Sequence, residues 1–179
     1  MFSYRVDDKL CMTLLELHHA EELFRLLNRH RNDLRKWLPW VDGTNTVEDT
    51  KAFIHSSLQQ FAAHNGFQAA ICYEGTIAGC IGLHNIDWHN KKTSIGYWLA
   101  SDQQGKGMMT RACRALIDYS FKELNLNRVE IRAGEYNQKS RAIPERLGFV
   151  QEGIVRQAEW LYDHYINHVI YGMLAEHWE

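Results

Sequence analysis

Proline is nearly missing from this sequence: Pro39 and Pro144 are the only two in 179 residues, and no proline-rich linker divides the chain. Long apolar runs are missing as well. None approaches the ~20 residues that a membrane span needs, so no membrane partner is expected. The four cysteines, Cys11, Cys72, Cys80 and Cys113, include no Cys-x-x-Cys pair. That excludes a cysteine-based zinc cluster or a disulfide framework and leaves reduced core thiols. Nor is there an excess of either charge, because 20 Lys and Arg face 22 Asp and Glu for a formal net charge of −2. The basic residues are spread along the chain, so nothing in it makes a field for nucleic acid. The first residues carry Asp7 and Asp8 where a secretory signal has a basic segment and an apolar run. Cytoplasmic localisation is therefore expected.

What is present is ordinary globular composition, 45% hydrophobic and 23% charged, at a length expected to form one domain over residues 1–179. Cys11 to Leu17 reads as a first strand. Ala20, Leu23, Phe24 and Leu27 then recur at helical spacing in a stretch that stops by Pro39. Thr46 with Asp49 three residues on reads as a capping box for a second helix with Phe53, Ile54, Leu58, Phe61 and Ala62 inward. From Phe67 the period falls toward two. Phe67 to Tyr73 and Thr76 to His84 form a hairpin about Glu74-Gly75, and Thr93 to Ala100 is a further strand. Met109, Ala112, Cys113, Leu116, Ile117, Ser120, Phe121 and Leu124 mark one face of a third helix, before alternation returns at Val129, Ile131 and Ala133. A short helix before Gly148-Phe149 and strands near Gly153 to Trp160 and Tyr165 to Leu174 close the chain.

The segment Gln103-Gln104-Gly105-Lys106-Gly107-Met108-Met109-Thr110 lies between a strand and an amphipathic helix. Its two glycines let successive N–H groups and the positive helix end converge on an anion, and a phosphate or pyrophosphate fits there. Taken alone, the loop is equally compatible with a tight turn that only starts the helix. It is not a Walker loop, because Gly107 follows Lys106, and it lacks the third glycine of a dinucleotide fingerprint. No metal site is expected. His164 and His168 lie four apart on a strand, about 13 Å between Cα atoms at ~3.3 Å per residue, and His84 with His89 has no third ligand.

Gln104-Gly105-Lys106-Gly107-Met108-Met109 resembles the Gln/Arg-x-x-Gly-x-Gly/Ala signature of the GNAT superfamily of N-acetyltransferases. Met109 departs from the last position. The departure matches the branch that acetylates N-termini of ribosomal proteins, where a Gly-Lys-Gly-x-Met-Thr form is common. Ile95-Gly96-Tyr97-Trp98-Leu99 and Arg156-Gln157-Ala158-Glu159-Trp160 resemble the same branch. The resemblance covers nearly the whole chain. It implies an α+β, three-layer fold with a mixed, mostly antiparallel, splayed central sheet flanked by helices. It also implies acetyl-CoA as co-substrate. The pyrophosphate would lie on the loop residues Gln104, Gly105, Lys106, Gly107, Met108, Met109 and Thr110, and the pantetheine arm along the backbone of Tyr97, Trp98 and Leu99. Gly96 fits a bulge or a close backbone approach there, or is a weak spot in an ordinary strand.

Acetyl transfer to an amine requires a neutral amine, a stabilised oxyanion and a proton for the leaving thiolate. No covalent nucleophile is needed, and Cys113 on an apolar helix face reads as a core thiol. Asn137 to Phe149 resembles the family's Asn-x-x-Ser…Gly-Phe segment. The match implies that Asn137 contacts the cofactor and that Ser140 is the general acid near its sulfur, although both residues also suit helix capping. Pro144 either removes the helical hydrogen bond to the Ser140 carbonyl or lies in the first turn of a later-starting helix. Tyr136 precedes the motif, so the tyrosine acid of many relatives has no counterpart there. Glu159 matches an acidic position assigned to accept the amine proton, against the alternative of a solvated strand glutamate. His84 is either an alternative base at the substrate entrance or a polar strand-end histidine.

Leu34 to Val41 lies where relatives bind the acceptor. Trp37, Trp40, Tyr97, Trp98, Trp160 and Tyr162 concentrate aromatic mass near the proposed cleft, mostly as packing. The leading reading is acetylation of a protein N-terminus, with a ribosomal protein as acceptor. The alternatives are a small amine (polyamine, amino acid or antibiotic) and a non-catalytic acyl-CoA sensing module. Trp160, Tyr162, Tyr165, Ile170 and Tyr171 near the C-terminus suggest a homodimer.

Overall fold

The computed structural model describes residues 3–179. The strands are β1 (Ser3–Arg5), β2 (Leu10–Leu14), β3 (Gly66–Tyr73), β4 (Thr76–Asp87), β5 (Lys92–Leu99), β6 (Arg128–Gly134), β7 (Val150–Leu161) and β8 (His164–Leu174). The α-helices are α1 (Ala20–Arg29), α2 (Arg31–Leu34), α3 (Val47–Ala62), α4 (Met108–Lys122) and α5 (Gln138–Arg146). All eight strands join one sheet in the order β1-β2-β3-β4-β5-β6-β8-β7. Every pairing is antiparallel except β5 with β6, which the α4 crossover makes parallel. The expected α+β architecture, a mixed and mostly antiparallel sheet flanked by helices, is the one observed.

The sheet opens at its centre. Strands β5 and β6 pair only from Lys92 with Arg128 to Ile95 with Ile131. Beyond that point Gly96 to Leu99 stay on β4, while Arg132 to Gly134 stay on β8. The two strands diverge, and their facing edges lose their ladder partners.

Helices cover both faces. Met109, Ala112, Cys113 and Leu116 of α4 pack with Ile95, Leu99, Val129 and Ile131, the face that the helical spacing assigns. On the other face Ala20 and Leu23 of α1 and Ile54 of α3 pack with Ala70, Ile77 and Cys80. Full burial of a side chain such as Ile54 contributes about 2 kcal/mol. All four cysteines are free thiols, with Cys80 and Cys113 buried. Among the described residues, no helix is long and apolar enough to cross a membrane.

Two expectations need correction, and one strand was not anticipated. The first strand ends at Leu14, and Leu17 opens a short 3₁₀ turn. Strand β1, which pairs with Arg5 opposite Cys11, has no apolar alternation to announce it, since all three of its residues are exposed. Helix α3 is rotated from the face that apolarity alone assigns. Thr50, Ile54 and Ser57 point inward, whereas Phe53, Phe61 and Ala62 are exposed. Ser57 tolerates burial because its hydroxyl donates to the Ile54 carbonyl, 3.0 Å away. The freed Phe61 packs edge-on against Phe67.

The capping box of α3 forms as the spacing implies, with Asp49 N–H donating to Thr46 Oγ1 and Thr46 N–H to Asp49 Oδ2. Thr46→Ala is expected to lower the unfolding free energy by about 1 kcal/mol. Urea unfolding checks this, and an unchanged midpoint would contradict it.

Candidate functional site

The chain leaves β5 through a 3₁₀ turn at Ser101–Gln103 and enters α4 with Gly105 and Gly107 at φ 79° and 70°. Gly107, in the left-handed region, is the N-cap of α4 and supplies no side-chain cap. Among the described residues, none of the amides from Gly105 to Thr110 donates to a protein acceptor; the first helical bond is Arg111 N–H to the Gly107 carbonyl. An uncapped helix end with this run of free N–H groups is an anion cradle. Met108 and Met109 bury their side chains, so only their amides face it. Gln104 is held by protein partners. Its amide donates to Ser101, while its side chain donates to the Leu99 carbonyl and accepts from Lys139 Nζ at 3.0 Å, tying the loop to β5 and α5.

On the α4 and α5 face of the gap, the structure decides the role of Pro144. Helix α5 starts at Gln138, capped by Asn137 Oδ1 accepting from Ser140 N–H at 3.2 Å. Pro144 is therefore interior and cannot donate to the Ser140 carbonyl. The Tyr97 hydroxyl, reaching across from β5, donates to that carbonyl at 2.9 Å. Ser140 Oγ in turn lies 3.5 Å from the same hydroxyl. Burial pushes the Tyr97 phenol up, so it stays protonated and acts as a donor. Tyr97 thus enters the site through its side chain as well as its backbone. Asn137 is the helix cap. Cys113 is fully buried and its thiol is pushed up, which leaves no thiolate to act as nucleophile.

The opposite face carries the base candidates. The His84 ring lies over Gly96, where a Cβ would stand 2.7 Å from His84 Nε2. Pairing through Gly96 is regular, so this side chain, and not a bulge or a backbone approach, is what requires glycine. The Gln68 amide lies across the imidazole, 3.3 and 3.4 Å from its two nitrogens. Burial holds His84 below the usual histidine range, so the ring is neutral at pH 7. Glu159 is a partly exposed residue of β7. Its Oε2 lies 3.3 Å from His168 Nε2, and His168 pairs with Gly134 at the free end of β6. A bulge in β7 between Val155 and Glu159 sets that register, with Gln157 at φ 48° and its N–H held by Asn167 Oδ1. Among the described residues, no group of three or more His, Cys, Asp or Glu is placed to hold a metal ion.

The segment from Leu34 to Asp42 roofs this side. The Trp37 ring would lie 3.5 Å from a Cβ at Gly134, and Trp98 packs against Leu27, Leu34 and Val41. The β7–β8 turn pins the roof: the Tyr162 hydroxyl donates to the Leu38 carbonyl, and Arg35, paired with Asp42, stacks 3.9 Å over the Tyr162 ring.

A family model described as an acetyltransferase (GNAT) domain matches residues 9–150. Over its whole length, and 98% of the relative's, the chain is 40% identical to the putative ribosomal N-acetyltransferase YdaF of Bacillus subtilis (strain 168). The chain belongs to the GNAT acetyltransferases. Two solved acetyltransferase structures resemble it closely. RimL ribosomal L7/L12 alpha-N-protein acetyltransferase, in complex with coenzyme A, superposes with a TM-score of 0.93 at 25% identity, covering 97% of this chain and 98% of that one. The microcin C7 self immunity acetyltransferase MccE, in complex with acetyl-CoA and AMP, superposes at 0.90 with 32% identity and covers 94% of each chain. The protein is thus a GNAT N-acetyltransferase that uses acetyl-CoA.

Sequence reasoning placed Tyr97 at the candidate site through its backbone alone and did not pair His168 with Glu159. The Tyr97 hydroxyl meets Ser140 from 43 positions away, and His168 meets Glu159 only through the sheet register. Tyr97→Phe strands the Ser140 carbonyl and is expected to cost about 1–3 kcal/mol in urea unfolding, with reduced acetyl transfer; an unchanged variant would contradict this role. The unfolded chain accepts a proton on His84 near pH 6.5 that the folded state resists, so stability falls as pH drops through that value. His84→Gln is expected to flatten the fall between about pH 7 and 5, whereas identical pH curves would contradict the burial argument.

Proposed function

We propose that this enzyme acetylates the N-terminal α-amine of a protein, with ribosomal proteins as its acceptors. The 40% identity to a relative named as a putative ribosomal N-acetyltransferase carries this reading. The placement of Ser140 and Glu159 on opposite faces of one gap supports its chemistry. The amides of Gly105 to Thr110 hold the pyrophosphate of acetyl-CoA, and the open edge of β5 at Tyr97, Trp98 and Leu99 takes the pantetheine arm. The α-amine attacks the thioester carbonyl, a C–N bond forms, the C–S bond breaks, and the thiolate leaves. Ser140, its carbonyl held by Tyr97, turns its hydroxyl proton from Tyr97 to the sulfur, while Glu159 with His168 takes the amine proton; the neutral His84 ring is the alternative acceptor. An α-amine with a pKa near 7.7–8.0 is appreciably neutral at pH 7, so a carboxylate suffices, whereas lysine near 10.4 is neutral about once in two thousand.

A small-molecule amine is the second reading. What favours it is an apolar cavity beside Trp98 that a peptide of small residues would leave empty. Assembly as a homodimer is part of the proposal. Strand β7 is an edge strand with Val150, Ile154, Val155 and Trp160 exposed, which a second copy would cover. Tyr171, by contrast, is core, donating to Glu145 and accepting from Arg141. Light scattering that returns a monomer at micromolar concentration would remove the dimer.

Thiol release from acetyl-CoA against Ser- and Ala-starting peptides, lysine peptides and polyamines tests the function. The expected result is turnover on the N-terminal peptides, reduced at least tenfold in both Ser140→Ala and Glu159→Gln. Acetyl-CoA binding without turnover on any amine would replace this reading with an acyl-CoA sensor.

A further inference from the structure

Between α1, α3 and the segment joining them lies a cavity of about 340 Å³. Leu23 and Leu27 of α1, Thr50 and Phe53 of α3, Trp40 and Trp98 form most of its wall. Two features set it apart from a packing gap. Thr50 is 3% exposed, and its Oγ1 has no hydrogen-bond partner among the described residues. A threonine inside a helix ordinarily returns its hydroxyl to the carbonyl four residues earlier, and a buried hydroxyl left unpaired is destabilising. At the mouth, Trp40 and Phe53 leave 41% and 44% of their surface in solvent. Trp40 and Trp98 are tilted 56° with centroids 6.2 Å apart, a wedge and not a stack.

Flat aromatic walls around an apolar volume select a planar ring, and a lone hydroxyl at depth selects a polar atom on the ring's edge. Trp98 places the cavity relative to the chemistry. It lies two residues beyond Gly96 on β5, about 7 Å along the strand, where the sheet has just opened. Its side chain points to the α1 and α3 face, opposite Tyr97 and Ser140. We infer that this cavity is a recognition pocket for a planar aromatic ring carried by the acceptor close to its amine, with a polar edge atom that hydrogen-bonds Thr50 Oγ1. The inference rests on the reading that the amine reaches the gap from this face. The ring comes from one of two sources: an aromatic residue near a peptide N-terminus, or a free aromatic amine.

The test measures kcat and KM for Ser-Tyr-, Ser-Phe- and Ser-Ala-starting peptides and for tyramine, alongside quenching of tryptophan fluorescence by p-cresol without acetyl-CoA. The tyrosine peptide or tyramine is expected to exceed the alanine peptide at least tenfold in kcat/KM, mainly through KM. Whichever of the two leads identifies the source. Thr50→Val, equal in volume, should erase the advantage of tyrosine over phenylalanine and melt no lower than wild type, because it removes an unpaired hydroxyl. Trp40→Ala should weaken p-cresol quenching and abolish the aromatic preference. Equal use of all peptides, with p-cresol quenching the same in wild type and Trp40→Ala, overturns the pocket. Turnover on no amine while p-cresol still binds in a Thr50- and Trp40-dependent way overturns the transfer reading and leaves the ring site standing.

Discussion

The parting of β5 from β6 after Ile95 and Ile131 is the constraint on which the rest of the structure depends. A continuous ladder would pair every backbone group and leave no slot for a long, thin co-substrate. Here the crossover through α4 brings the two strands parallel for four residues, and then β4 and β8 pull them to opposite sides. The anion cradle at Gly105 to Thr110 stands at the end of one diverging strand, and α5 follows directly from the other. The gap therefore has a run of free amides at its mouth, hydrogen-bonding edges along its length, and a different set of polar side chains on each face.

The α5 face shows how a helix defect is used. A proline in the seventh position of a nine-residue helix removes one donor, and the carbonyl it frees belongs to Ser140. Tyr97 fills the vacancy from the other strand and so bridges the gap near its floor. The tyrosine is kept protonated by burial, and the serine is fixed by its own backbone at both N–H and C=O. On the other face the two proposed bases are separated between strands: His84 over β5, and Glu159 with His168 beside β6. In the proposed mechanism this division separates a donor side from an acceptor side, as an exchange of an amine proton for a thiol proton requires.

Much of this was legible in the sequence because it depends on local rules. The loop glycines, the α4 stripe, the Thr46 capping box and the Glu74-Gly75 hairpin all announce themselves within a few residues. The parts that were not legible depend on register or on competition between faces. Helix α3 has two apolar stripes, and only packing against α1 and β3 selects Ile54 over Phe53. Pro144 signals that the Ser140 carbonyl lacks its helical donor, but nothing local points to Tyr97 as the replacement. Glu159 and His168 meet because a bulge in β7 shifts the pairing, and a bulge of this kind has no reliable sequence mark. Gly96 reads as a strand irregularity from sequence and is in fact the floor beneath an imidazole.

The central claim is that the divergence of β5 and β6 and the uncapped start of α4 form one binding groove. Backbone amide chemical shifts, followed while coenzyme A is titrated into the protein, test it most directly. The account predicts that the amides of Gly105 to Thr110 and of Gly96 to Leu99 shift together at one saturating concentration, while those of β1 to β3 stay in place. Saturable binding that leaves the loop amides unmoved, or moves them without the β5 edge, would contradict it.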